Sequence, residues 1–495
     1  MTSLLKDSIN VMGDPNKEDL DGVLVTEDSG EPATKESSIS LKASIQDWWN
    51  GLYSLFGSSI LNIEASRRKN RRIEYDLFRA MLSDDIFIKN PDIENETDTS
   101  DLKEGKLYSE LKDVEVEPGV FIHEFYLENN LECVPESDEI HIVMIHGYMA
   151  ALGYYIKNVE SLLKSRPGVR IHAIDLIGFG NSSRPKFPPE FLKTTKNKEE
   201  EIDQIIAIEN WFIDKIENWR KKRNIRTFKL IGHSMGAYLS CCYLMKYNNQ
   251  YKKVDESQSP IVEEVILVSP MGTESNPHSL LNEKNYEFTT HESGGDPFKE
   301  LITKQGDSIE HDELIKLWEK LGQPRFPKNF ILKTLWEHSI SPFQVLQKFG
   351  PLYSKILSYW SFQRFRNLKS ETGEQSIDLI LKLHDYSFSI FNQFQGSGEL
   401  AITKLINHEI LARLPLSDRG FVHFVISSNL KVLWLYGDKD WMNDKGGRHI
   451  HEEIAKKNKN LSEFEVIENA GHHIYLDNPP AFNEACLKFF GLDKS

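Results

Sequence analysis

Short runs of consecutive apolar residues recur along the chain from residue 140 onward: IHIVMI (140–145), VRIHAIDL (169–176), FKLI (228–231), EEVILVSP (263–270) and KVLWLY (431–436). Each ends in a turn rich in Gly, Asn or Asp. Runs of this length without polar alternation predict strands buried on both faces of a sheet. The polar, helix-period stretches between them, of which 197–222 is the longest, predict helices that cross over those faces. The expected fold class is therefore α/β, with a mostly parallel central sheet flanked by helices. Ahead of these runs, VEVEPGVFIHEF (114–125) alternates around Pro118-Gly119 and predicts a hairpin. Earlier still, Ile45, Trp48, Trp49, Leu52, Leu55 and Phe56 recur at helical spacing within SIQDWWNGLYSLF (44–56), an amphipathic helix. A basic run, Arg67, Arg68, Lys69, Arg71 and Arg72, follows it.

Between Pro270 and Lys431 no comparable apolar strand appears; the stretch is aromatic and helix-prone, as in LIKLWEKL, FILKTLWEHS and IDLILKLHDYSFSIF. A sheet crossover needs only a short connection, so residues 271–430 are expected to form an inserted helical cap. The chain then divides into an acidic leader (1–40), expected to be disordered, and an amphipathic and basic membrane-contacting segment with its linker (41–107). The first part of the α/β core (108–270), the cap (271–430) and the second part of the core (431–495) follow.

Charge and cysteine content narrow the partners. With 59 Lys and Arg against 75 Asp and Glu, the 495-residue chain carries a formal net charge of −16, which argues against nucleic acid. It leaves a membrane surface open, because local basic patches decide that affinity. The four cysteines include the adjacent pair Cys241-Cys242 and no C-x-x-C, so neither a disulfide framework nor a Cys-based metal site is expected. Nothing in the sequence calls for a metal or other cofactor. There is no uncharged apolar stretch long enough for a transmembrane helix, and the first residues lack a secretory apolar region.

The chemistry concentrates after the buried strands. Gly232-His233-Ser234-Met235-Gly236 follows FKLI and opens a helix, the context that makes G-x-S-x-G a nucleophile elbow: a sharp strand-to-helix turn exposes the hydroxyl, and neighbouring chain passes too close for larger residues. A Ser hydroxyl needs a base, and the base needs an orienting acid. Gly437-Asp438-Lys439-Asp440 lies just past KVLWLY, at the edge where such an acid belongs; Asp440 is the candidate, with Asp438 as the alternative and more suited to forming the turn. After the next strand comes Gly471-His472-His473, with Asp477 completing His-x4-Asp from His472. His472 is the candidate base and His473 the alternative. Asp477-Asn478-Pro479 also reads as a helix N-cap with Pro in the first turn. An oxyanion would be held by the N–H of Met235 and by that of Tyr148, in the loop His146-Gly147-Tyr148 after IHIVMI. His146 reads as a brace of that loop.

These segments, with Asp175-Leu176-Ile177-Gly178-Phe179-Gly180-Asn181-Ser182 and the Asp440-Trp441-Met442 triplet, resemble an α/β-hydrolase. More narrowly they resemble the α/β-hydrolase-domain 4/5 subfamily of lipid-active enzymes, whose fungal members include a mitochondrial cardiolipin-specific deacylase and related lysophosphatidic acid acyltransferases. The resemblance covers about 40–80 and 108–495. It implies the α/β-hydrolase fold with an inserted cap, the nucleophile at Ser234, the acid at Asp440 and the base at His472. It further implies a peripheral enzyme of the mitochondrial inner membrane; a cytoplasmic enzyme on lipid droplets or endoplasmic reticulum is the alternative. Some members lack the nucleophilic Ser and act as lipase coactivators; here Ser234 is present.

The expected activity is hydrolysis of lipid acyl esters, of cardiolipin or a related anionic glycerophospholipid, through an acyl-enzyme. The alternatives are acyl transfer from acyl-CoA to a lysophospholipid, a serine peptidase of the same fold, and a non-catalytic regulator at a lipid surface. Residues 44–56 read either as a helix docked on the core or as an interfacial anchor. In the second case Trp48, Trp49, Leu52 and Phe56 insert, while Arg67, Arg68, Arg71 and Arg72 attract anionic lipid. In the cap, the segment Tyr359 to Arg366 combines aromatic and Arg groups suited to lining an acyl channel and meeting a phosphate, or to packing the cap.

Overall fold

The apolar runs become strands of one sheet. The computed structural model describes residues 38–56, 60–91, 104–248, 260–281, 311–325, 330–365, 377–393 and 396–493; the acidic leader to residue 37 and the acidic stretch 92–103 lie outside them. The strands are β1 (Ile86–Ile88), β2 (Leu107–Glu117), β3 (Val120–Asn129), β4 (Ile140–Ile145), β5 (Val169–Ile174), β6 (Phe228–His233), β7 (Val262–Val268), β8 (Lys431–Gly437) and β9 (Ser462–Ile467). Their order is β1-β2-β3-β5-β4-β6-β7-β8-β9. The β2–β3 hairpin is antiparallel and β3 runs antiparallel to β5, while β4 to β9 are mutually parallel. Every residue of β5 is buried, as the uninterrupted apolar pattern requires of a strand covered on both faces. Parallel strands bring their C-terminal loops to one edge, and that edge collects the candidate chemistry.

The helices needed here are α1 (Leu41–Phe56), α2 (Ile60–Met81), α3 (Ile156–Leu163), α4 (Lys198–Lys222) and α5 (Met235–Tyr247). Beyond β7 come α6 (His311–Leu321), α7 (Phe330–Glu337), α8 (Pro342–Gln347), α9 (Tyr353–Arg364), α10 (Ile377–Phe391) and α11 (Phe421–Ser428). After β8 and β9 come α12 (Asp444–Lys457) and α13 (Pro479–Phe489). α4 starts where the Asn197 side chain accepts the N–H of Glu200, with Glu199–Glu201 in the first turn and Arg220–Lys222 in the last, matching the helix dipole at both ends. β7 and β8 are neighbours, yet α6 to α11 lie between them in sequence. This intervening segment is locked to the sheet layers by a bidentate pair: Arg419, fully buried, donates to both carboxylate oxygens of Glu209 on α4 (2.8 and 2.9 Å).

Residues 60–88 behave differently from the linker expected of 41–107. Leu77 and Phe78 of α2 are fully buried, Phe78 packs on Phe125 of β3 with ring centroids 4.2 Å apart, and β1 extends the sheet beside β2. The basic run is drawn inward with it. His123 lies fully buried with Nε2 on Glu74 and Nδ1 on Asp113, both at 2.7 Å. Arg67 (2.6 Å) and Arg71 (3.3 Å) close on the same Asp113, and Arg72 pairs with Asp76 one turn on (3.2 Å). Arg67 and Arg71 are thus partners of a half-buried carboxylate, each with a quarter of its side chain exposed; Arg68 is exposed. Facing two carboxylates, His123 is held as the imidazolium, with its pKa raised to about 10 despite burial. A raised histidine pKa stabilises the fold fully below the unfolded value near 6.5 and loses that contribution as the pH rises through 10. The urea midpoint is expected to fall between pH 6.5 and 10, and His123→Gln to flatten that part of the curve.

α1 docks by its polar side. Ser44, fully buried, donates to the Pro351 carbonyl (2.6 Å) and accepts the Lys355 N–H (2.9 Å), and Asp47 accepts the Ser354 hydroxyl (2.6 Å). Its apolar residues Leu41, Ile45 and Trp49 face outward, 49, 38 and 49 % exposed. Leu352, in the turn against which α1 packs, is also exposed, and Trp48 is half-buried with its ring edge-on to Trp49. The side chains of Leu52 and Phe56 fall outside the described part of the structure. Among the described residues no helix is long and apolar enough to cross a membrane.

Candidate active site

The turn from β6 into α5 places Ser234 at φ 53°, a conformation that a non-glycine residue rarely adopts and that functional turns retain. Three glycines permit it. A Cβ at Gly236 would stand 2.3 Å from the His146 carbonyl oxygen, one at Gly232 2.8 Å from Ala237 Cα, and one at Gly147 2.9 Å from Ser234 Cβ. The loop after β4 thus runs directly against the serine. Met235 is the first residue of α5, so its N–H has no acceptor within the helix and lies at the positive end of the helix dipole.

His472 Nε2 lies 3.0 Å from Ser234 Oγ, and His472 Nδ1 lies 3.1 Å from Asp440 Oδ1. All three residues are buried at 7 % exposure each. Asp440 Oδ1 also accepts the Met442 N–H at 2.9 Å, and the Trp441 ring covers His472 with centroids 4.6 Å apart. The Asp-Trp-Met triplet therefore serves one imidazole: the acid holds it, the following amide holds the acid, and the indole shields it. Asp438 does something else. Its Oδ1 accepts the Ala470 N–H (2.9 Å), tying the loop after β8 to the loop after β9, and Gly437 passes so close that a Cβ there would stand 2.1 Å from the Ala470 carbonyl oxygen.

The remaining motif residues brace this arrangement. His233 makes a 2.9 Å hydrogen bond from Nε2 to the His472 carbonyl, fixing the base's main chain from the elbow itself; burial and the His472 ring push its pKa well below the ordinary range, so it stays neutral. His146 accepts the Leu176 N–H on Nε2 (3.0 Å) and donates from Nδ1 to the Gly147 carbonyl (2.7 Å); burial lowers its pKa to about 4. Asp477 carries no cap: Asn478 caps α13 through Ala481 N–H (3.3 Å). Asp477 instead accepts the Gly471 N–H (2.9 Å) and pairs with Arg364 of α9 (2.7 Å), clamping the His472 loop to the intervening segment. Arg364 is thus engaged by Asp477 rather than open to a phosphate, and Arg366 lies outside the described residues. Trp48, Trp49 and the basic run are not among the described residues that line the cavity at this site.

Ser234 and His472 open on a cavity of about 90 Å³ walled by Tyr148, Met149, Met271, Trp336, Trp360 and Phe391 among others. The intervening segment supplies Trp336, Trp360 and Phe391. Such walls accept hydrocarbon. Trp360 lies in the aromatic segment 359–366 that the sequence offered as a channel lining, and Trp441 in the Asp-Trp-Met triplet, whereas no periodicity of the sequence links Trp336 to Ser234. Among the described residues no cluster of His, Cys, Asp and Glu could hold a metal ion.

The profile of the alpha/beta hydrolase fold matches residues 140–479. The chain belongs to that family. This α/β-hydrolase is 28 % identical over 359 residues to the probable 1-acylglycerol-3-phosphate O-acyltransferase of Oryza sativa subsp. japonica, covering 71 % of this chain and 68 % of that one. It is 26 % identical over 392 residues to the 1-acylglycerol-3-phosphate O-acyltransferase ICT1 of Saccharomyces cerevisiae, covering 74 % and 85 %. It is 26 % identical over 365 residues to the (lyso)-N-acylphosphatidylethanolamine lipase of Bos taurus, covering 72 % and 82 %. The relatives are lipid-acting α/β-hydrolases, as the resemblance in sequence implied, and both transfer and hydrolysis appear among their names.

Proposed function

We propose that this α/β-hydrolase cleaves acyl esters of phospholipids through an acyl-enzyme at Ser234. The observation that carries the reading is the unbroken Ser234–His472–Asp440 relay opening on an apolar cavity. His472 takes the Ser234 proton as Oγ attacks the ester carbonyl, and Asp440 holds the imidazolium that forms. The Met235 and Tyr148 amides receive the negative oxygen. His472 then returns the proton to the leaving alcohol, and water repeats the sequence on the acyl-enzyme. The substrate proposed is an anionic glycerophospholipid, with cardiolipin as the first to assay and the mitochondrial inner membrane as the matching surface. Purified protein offered a phospholipid panel is expected to release fatty acid from it without acyl-CoA. A product formed only with acyl-CoA would favour the transferase reading that the plant and yeast relatives' names support. Failure of a fluorophosphonate to label Ser234 would favour a non-catalytic lipid-surface role.

The orientation of α1, docked through Ser44 and Asp47 with Leu41, Ile45 and Trp49 exposed, supports contact with a bilayer interface. Trp48→Ala with Trp49→Ala is expected to weaken flotation on liposomes while leaving soluble-ester turnover near wild type. The melting temperature should fall by no more than about 2–4 °C, since these rings fill little of the interior. Normal flotation with a large drop in melting temperature would return the helix to a packing role. Neutralising Arg67 and Arg71 should instead destabilise the fold, by about 1–3 kcal/mol, because Asp113 loses two of its three cationic partners among the described residues.

A further inference from the structure

His473 stands on the wall of the same cavity as Ser234 and His472, yet the relay does not pass through it. Its main chain is held three times: the carbonyl accepts the N–H of Leu476 (2.8 Å), the N–H of Asp477 (3.0 Å) and the Arg364 guanidinium (3.3 Å). The ring, on a residue 7 % exposed, is not held in this way: Nδ1 is buried and has no hydrogen-bond partner among the described residues. Burial, the Arg364 charge and the His233 and His472 rings all push its pKa well below the ordinary value. A neutral imidazole carries one donor and one acceptor, and leaving either unmade in an apolar enclosure is costly.

What a ligand offers such a ring follows from the parts of an acyl ester. The acyl chain has no hydrogen-bonding group. The carbonyl oxygen goes to the Met235 and Tyr148 amides in the reaction proposed above. The polar atoms left over lie on the alcohol side. We infer that His473 hydrogen-bonds a free hydroxyl on the alcohol side of the ester, so that the site selects partly acylated glycerol esters over esters of simple alcohols. This rests on the proposed esterase reading and adds to it a residue that determines specificity. A group placed there also meets an incoming alcohol in the reverse direction, so hydrolysis and transfer would share the same contact.

The test compares kcat/KM of the full chain for two soluble esters of matched size, glycerol monobutyrate and propyl butyrate. The wild type is expected to favour the glycerol ester by about tenfold or more, because a site built to bind a hydroxyl discriminates against the analogue lacking it. His473→Phe, which keeps a ring and removes both nitrogens, is expected to bring the ratio near one, and His473→Ala to do the same should the Phe variant fold poorly. Reading the ratio within each preparation cancels any loss that scales both rates, as a merely structural role would. A wild-type ratio near one, or a ratio that both variants preserve, overturns the inference. If the wild-type turnover of both esters survives Ser234→Ala, it is the esterase reading that fails; a labelled, Ser234-dependent enzyme with no preference defeats the His473 assignment alone.

Discussion

Ser234→Ala is expected to abolish covalent labelling by a fluorophosphonate and to lower kcat on lipid esters by about three to six orders of magnitude. The lower limit corresponds to about 4 kcal/mol of transition-state stabilisation. The effect should be this large because, among the described residues, the hydroxyl is the only nucleophile that His472 Nε2 faces at hydrogen-bond distance (3.0 Å). The amides proposed to hold the oxyanion and the apolar walls remain, which would account for a residual rate. Folding should be spared. Ala shares the φ 53° penalty of Ser, and the change removes one oxygen without disturbing the Ser234 N–H bond to the Val268 carbonyl (2.9 Å). The measurement is probe labelling, turnover and melting temperature on one preparation. Retention of most of the activity would remove Ser234 from the mechanism.

The sheet was legible because its strands are locally coded. IHIVMI became β4 at its own boundaries, and KVLWLY gained only Gly437. An apolar run with turn residues behind it has one low-energy use in a parallel sheet. The triad candidates were legible because each follows such a run. What stayed hidden depends on partners far apart in the chain. The α2 charges were open to a lipid reading because Asp113 and His123, which claim them, lie across a hairpin whose pairing with α2 has no local signature. Asp477 looked like a cap by its position before Pro479, and Arg364, separated from it in the chain by α10, α11, β8, α12 and β9, decided otherwise. The amphipathic period of α1 announced a helix but carried no sign of which face docks; three serine and aspartate contacts, at Ser44, Asp47 and Ser354, set the orientation.

Asp440→Asn and Asp438→Asn form the second comparison. Both acids sit in one tight turn after β8, and they differ in what they hold. Asp440 accepts from His472 Nδ1 (3.1 Å) and from the Met442 N–H (2.9 Å). Both bonds fall on Oδ1, so an Asn with its oxygen there keeps the geometry but lacks the negative charge that holds the imidazolium, and an Asn turned over sets its NH2 group against His472 and the Met442 N–H alike. In the turned-over state the imidazole presents Nδ1 as an acceptor and carries its proton on Nε2, where it can no longer accept the Ser234 proton. A wrong tautomer of this kind costs about four orders of magnitude in kcat in an enzyme with the same constellation. Asp438 is exposed and accepts only the Ala470 N–H among the described residues (2.9 Å), a bond that an Asn oxygen also makes. Asp438→Asn is therefore expected to lose less than about 1 kcal/mol of stability and less than tenfold in kcat. Steady-state turnover of a soluble ester by the two variants, with melting curves to show that both are folded, ranks them. The opposite ranking would move the orienting acid to Asp438, and equal, total losses with lowered melting temperatures would mean that the turn itself had come apart.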